Sequence, residues 1–183
     1  MEKNKLNRRY FRKIIFKISL VLLALLIIGF VIPQNLKMPV VGATDKSYNP
    51  NTFWHYPWGK SITHKGVDIF AKKGTAINSA TAGIVLFTGK GNIAGNYVIV
   101  LGPKWRLHYY AHLDKIKISR FALVNQNTRI GTVGDSGNAK GKPTHLHYGI
   151  FTPIPYVWRA ESSIQGKRKM FYLNPVDYLK TSN

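Results

Sequence analysis

Thr144-His145-Leu146-His147-Tyr148-Gly149-Ile150 is a run rich in Leu, Tyr and Ile, preceded by Gly141 and Pro143, inside a 183-residue chain. Its composition and flanking breakers read as a β-strand, in which alternate side chains point the same way. His145 and His147 therefore share one face, about 6.6 Å apart along a strand rising about 3.3 Å per residue. Leu146 and Tyr148 form an apolar backing on the other face. The spacing suits one metal ligand beside one catalytic neighbour better than two ligands on one ion.

Outward from this stretch, similar short runs recur between Gly-rich breaks: 67–70, 83–88, 96–101, 105–113, 129–133 and 145–151. No window after residue 32 carries a clean 3.6-residue period, so the expected fold is an all-β, antiparallel domain. Turns are expected at Gly89-Lys90-Gly91-Asn92 and at Gly102-Pro103-Lys104. Two aromatic loops interrupt the pattern. One, at 44–60, carries Tyr48, Phe53, Trp54, Tyr56 and Trp58; the other, at 152–172, carries Tyr156, Trp158, Phe171 and Tyr172. Each is either a groove wall or ordinary packing over a sheet edge.

The N-terminal part is different. Residues 1–17 hold seven Lys and Arg, and 18–32 are uncharged before Pro33. A fifteen-residue uncharged run is short for a membrane span of about 20, but Lys17 can snorkel and lengthen the helix backward. Val41-Gly42-Ala43 resembles a signal cleavage site, lying unusually far from the apolar core. An uncleaved anchor and a cleaved signal are both open, and either exports the C-terminal part. The expected organisation is a basic cytoplasmic flank (1–17), a transmembrane or signal-anchor segment (18–32), a linker with aromatic loop (33–59) and a strand-rich domain (60–180).

The formal net charge is +20. Residues 38–183 keep 19 Lys and Arg against 6 Asp and Glu, or +13. Such a surface favours polyanions; export argues against nucleic acid and leaves anionic envelope polymers or lipid headgroups. Without a cysteine, disulfides and Cys-ligated zinc are excluded, so a metal would need His, Asp or Glu.

Five of the six histidines fall in three patterns: His64-Lys65-Gly66-Val67-Asp68, His108-Tyr109-Tyr110-Ala111-His112-Leu113, and His145-Leu146-His147. On a straight strand His64 and Asp68 would stand about 13 Å apart; a turn at Gly66 would bring them together. In the second pattern alternation places His108, Tyr110 and His112 on one face. His64, Asp68 and one histidine of the 145/147 pair would make three N/O ligands with a fourth position free, the composition of a catalytic zinc site. His55 has no partner at ligand spacing.

With these motifs in view, the chain resembles the lysostaphin-type zinc endopeptidases, the M23 or LytM-domain family, over about residues 60–180. The shared features are HKGVD, Gly74-Thr75-Ala76-Ile77, Gly83-Ile84-Val85, YAHL at 110–113, the 131–137 stretch and THLHY, in family order. The resemblance implies the antiparallel β-sheet or sandwich of that peptidase domain after one N-terminal helix. It implies zinc held by His64, Asp68 and His147, with His112 and His145 as the catalytic pair. Gly149 departs from the acid that many members carry after HxH and an aromatic.

The implied activity is hydrolysis of peptide bonds in cell-wall peptidoglycan, in the envelope, by a protein anchored through its N-terminal helix or secreted if that is cleaved. The alternative is a catalytically silent module that binds wall peptides or regulates a partner hydrolase. Tyr110, Trp54, Tyr56 and Trp158 are the expected substrate-groove residues.

Overall fold

A computed structural model describes residues 2–180, with side chains described for 8–179. Met1, residues 181–183 and the side chains of Lys3 and Lys5 in the basic flank lie outside the described residues. The chain divides into two compact units, Met1–Pro33 and Gln34–Asn183.

The first unit is one helix, α1, Glu2–Val31. The helix runs well into the basic flank because Lys and Arg are good helix formers. Its stretch Arg8–Val31 is long and apolar enough to cross a membrane, by length and composition only; 24 residues span about 36 Å. With this helix and several short 3₁₀ turns, the chain is not strictly all-β.

The second unit contains strands β1 (Leu36–Lys37), β2 (Val67–Phe70), β3 (Ala76–Asn78), β4 (Gly83–Gly91), β5 (Gly95–Leu101), β6 (Leu107–Leu113), β7 (Leu123–Val124), β8 (Arg129–Thr132), β9 (His145–Phe151), β10 (Tyr172–Leu173) and β11 (Leu179–Lys180). Seven of them form an antiparallel sheet in the order β10-β9-β6-β5-β4-β7, with β2 also paired to β9. β2 and β10 occupy successive halves of one edge of β9, and β6 occupies the other edge. β9 is thus paired with three other strands, β2, β6 and β10.

Alternation along the strands builds the core. Ile69, Ile77, Val85, Val98, Val100, Leu146, Tyr148 and Ile150 are fully buried. Each such side chain stabilises the fold by roughly 1.5–3 kcal/mol relative to exposure. Leu36 and Val40 join the same core, so the chain before residue 60 packs within this unit.

The β4–β5 hairpin turns later than expected, at 92–94, because Lys90 and Gly91 remain paired with Asn96 and Gly95. The strands β1, β3, β7, β10 and β11 have two or three residues each. They are too short to show alternation in sequence and owe their strand geometry to the partner they pair with.

Candidate metal centre and groove

In β2 and β9 the register sets Asp68 opposite His147, and on the other side Ala111 of β6 opposite His147. His64 arrives from the loop before β2. Gly66 lets it in by its size rather than by unusual dihedrals: a Cβ there would lie 2.5 Å from the Tyr148 carbonyl oxygen and 2.9 Å from the His147 ring. Three donor atoms converge. His64 Nε2 lies 3.1 Å from Asp68 Oδ1 and 3.1 Å from His147 Nδ1, and His147 Nδ1 lies 2.8 Å from Asp68 Oδ1.

The tautomers follow from the outer contacts. His64 Nδ1 faces the Thr52 carbonyl oxygen at 3.1 Å. A carbonyl only accepts, so Nδ1 carries the hydrogen and Nε2 of the neutral ring turns a lone pair inward. His145 Nδ1 donates to Pro143 O at 2.7 Å and His112 Nδ1 to Ser136 O at 3.0 Å, which likewise leaves their Nε2 atoms free. Asp68 stays ionised: burial opposes its charge, but the His147 ring donating to it favours the charge, and its carboxyl lies well below the usual range. Burial lowers the His147 imidazole, with Asp68 opposing.

Lone pairs of His64 and Asp68 therefore face each other at 3.1 Å, a repulsive arrangement that a proton or a cation between them relieves. The donor set fits zinc. Bonds of about 2.0–2.2 Å in a tetrahedron put donors roughly 3.3–3.6 Å apart, so the triad needs a few tenths of an ångström of outward movement. His64, Asp68 and His147 form the one such metal-capable group among the described residues.

His145 and His112 flank this triad. His145 Nε2 is 3.9 Å from Asp68 Oδ2, and the His112 ring lies 5.1 Å from that of His145 and 6.0 Å from that of His147. Burial, then repulsion from His147 and His145, pushes His112 down to about 4, so it is neutral at pH 7.

His112 does not reach the site by alternation. Ala111 and His112 together oppose the single residue Tyr97 between the Asn96–Leu113 and Val98–Tyr110 pairs, and His112 has φ 64°. This bulge re-aims its side chain. His108 and Tyr110 therefore face the core, not the groove: both are fully buried, and the Tyr110 hydroxyl accepts from Ala80 N–H at 2.8 Å. Tyr109 takes the groove position expected of Tyr110; burial, then the Tyr97 phenol, push its hydroxyl up to about 12, so it remains a donor. His108 joins a separate network, donating from Nδ1 to the Tyr148 hydroxyl at 2.7 Å and accepting from the Gln34 amide at 2.9 Å.

The centre opens into a cavity of about 690 Å³. Of the other expected groove residues, none lines it. Trp54 is buried, donating its indole N–H to Ile164 O at 3.2 Å and packing on Tyr172; it pins the two aromatic loops together. Tyr56 and Trp158 project into solvent, the latter 77% exposed beside Tyr156. From the two aromatic loops it is the aromatics Trp58 and Tyr172 that line the cavity, the Trp58 ring stacked on His64 at 4.1 Å and 18°. Composition singled out its loop, but nothing in an aperiodic loop distinguishes Trp58 from its neighbours. His55 is exposed and touches Trp58, outside the triad.

Residues 62–157, more than half of the chain, match the family model described as peptidase family M23. The chain is 34% identical over 87 residues to the peptidoglycan DD-endopeptidase ShyA of Vibrio cholerae, covering 48% of this chain and 20% of that protein. It is 32% identical over 120 residues to the L-Ala–D-Glu endopeptidase of Bacillus subtilis, covering 62% of this chain and 37% of that one. The chain thus spans well under half the length of these relatives. The catalytic domain of lysostaphin from Staphylococcus simulans shares the fold, with a TM-score of 0.55 at 22% identity over 69% of this chain and 87% of that domain.

Proposed function

Because the chain belongs to peptidase family M23, we propose that it is an exported zinc endopeptidase hydrolysing peptide bonds in cell-wall peptidoglycan, with residues 60–180 as its peptidase domain. The observation that carries this reading is the convergence of His64 Nε2, Asp68 Oδ1 and His147 Nδ1 on the lining of an open cavity. Three N/O donors with an open side make a catalytic rather than a structural set. Relatives that bear endopeptidase names agree with it.

His64, Asp68 and His147 would hold the ion, which when bound supplies Lewis acidity that acidifies water and polarises a carbonyl. The chain's own groups handle protons and orientation. The free Nε2 atoms of His112 and His145 accept a proton from the attacking water and return it to the leaving amine. Once protonated, either ring donates to the developing oxyanion, as does the Tyr109 hydroxyl. The Ser136 and Pro143 carbonyls hold the two imidazoles in the tautomer these steps need. Trp58 and the surrounding apolar wall limit water around the scissile bond.

The basic residues at 3–17 precede the uncharged segment 18–32, which favours an orientation with the N-terminus in the cytoplasm and the catalytic unit in the envelope. The assay is release of new amino termini from purified peptidoglycan by the zinc-supplied protein. Release abolished by chelation and restored by zinc supports the proposal. A zinc-loaded protein that releases none would favour the silent wall-peptide-binding module instead.

A further inference from the structure

The walls of the groove carry a one-sided charge. Lys60, Lys65 and Lys142 line it, and the one carboxylate among its lining residues is Asp68, committed to the metal triad. Three acids outside the lining are matched by cations: Asp135 and Asp114 pair with Lys73, and Glu161 pairs with Lys169. Lys65 is committed to the fold, its ammonium donating to Ser61 O at 2.7 Å and Gln165 Oε1 at 2.7 Å. Lys60 and Lys142 are exposed at the rim. Lys60 comes from the loop that carries Trp58, and Lys142 from the turn before His145, so cations stand beside both the His64 wall and the His145 wall. Apolar side chains such as Phe70, Ile93, Ile99 and Phe151 line the same groove, and low-dielectric walls focus the field of the rim cations into it.

We propose that the groove selects wall peptides bearing free carboxylates over their amidated counterparts, with Lys60 and Lys142 as the specificity-determining residues. This rests on the hydrolytic reading above and adds a substrate charge to it. The attraction is long-ranged and solvent-exposed, so it acts on capture and weakens once the screening length falls to a few ångströms.

The test uses the full chain in non-ionic detergent with zinc supplied. One substrate is soluble peptidoglycan fragments with free carboxylates; the other is the same fragments after carbodiimide coupling to ammonia, which converts carboxylates to carboxamides. The expected result at low salt is a kcat/KM about fivefold to tenfold higher for the free acid, the size two partly screened charge pairs give. The ratio should fall toward 1 at about 0.5 M salt, and also in Lys60→Gln/Lys142→Gln at low salt. Equal kcat/KM for the two substrates at low salt, or an undiminished ratio in the double variant, would overturn the proposal. Cleavage of neither substrate would instead sink the hydrolytic reading, and the charge preference with it.

Discussion

Asp68 and His147 stand directly opposite each other on neighbouring antiparallel strands, with Asp68 Oδ1 2.8 Å from His147 Nδ1. The sheet register itself assembles two of the three donors. Asp68→Asn keeps the shape of the side chain but removes the charge that a cation would meet, so metal affinity should drop by more than about 100-fold, beyond the loss typical of residues that merely support a ligand. Equilibrium dialysis with elemental analysis reads this, and peptidoglycan hydrolysis should fall with it.

Gly66→Ala puts a methyl group 2.5 Å from the Tyr148 carbonyl and 2.9 Å from the His147 ring. Backbone and a ligand ring must shift, a strain typically of about 1–3 kcal/mol. The expected outcome is a lower unfolding midpoint together with weakened zinc binding. A variant as stable and as metal-competent as wild type would show that the loop before β2 tolerates displacement.

Trp58→Ala removes the ring stacked on His64. Loss of such a contact costs about 0.5–1.5 kcal/mol beyond area burial and leaves one face of a ligand open to water. Zinc affinity should fall about tenfold, with Trp58→Phe in between; competition against a chromogenic chelator measures both.

His108 predicts a pH dependence. Burial, then the Arg106 charge, lowers its imidazole to about 3, against about 6.5 in an unfolded chain. Above pH 6.5 neither state binds the proton. Below it the unfolded chain takes up a proton that the folded protein refuses, so stability falls with falling pH until the folded value is reached. Between pH 6.5 and 5.5 the wild-type chain should lose about 1 kcal/mol more than His108→Gln, measured as unfolding midpoints of metal-free protein in detergent.

The regular parts of the sheet were legible. His145 and His147 share the groove face and Leu146 and Tyr148 the core because β9 is paired on both edges and carries no irregularity. The same alternation misassigns Tyr110, because one extra residue in β6 turns His112 toward the groove and leaves Tyr109, not Tyr110, beside it. Gly66 was visible as necessary, but its reason is a close approach of strand and loop that only three-dimensional packing reveals. The aromatic loops were legible as loops and not in detail. Trp54, Trp58 and Trp158 are one residue type in sequence, and their fates depend on contacts such as Trp54 with Ile164, 110 positions away.

The central claim is a division of labour between two histidines separated by one leucine. Zinc content and release of amino termini should be measured together on purified wild type, His147→Ala and His145→Ala. The expected result is about one zinc per chain for the wild type, loss of both zinc and activity for His147→Ala, and retained zinc with turnover reduced about 10²–10⁴-fold for His145→Ala. Retention of the metal by His147→Ala with its loss from His145→Ala would contradict the account.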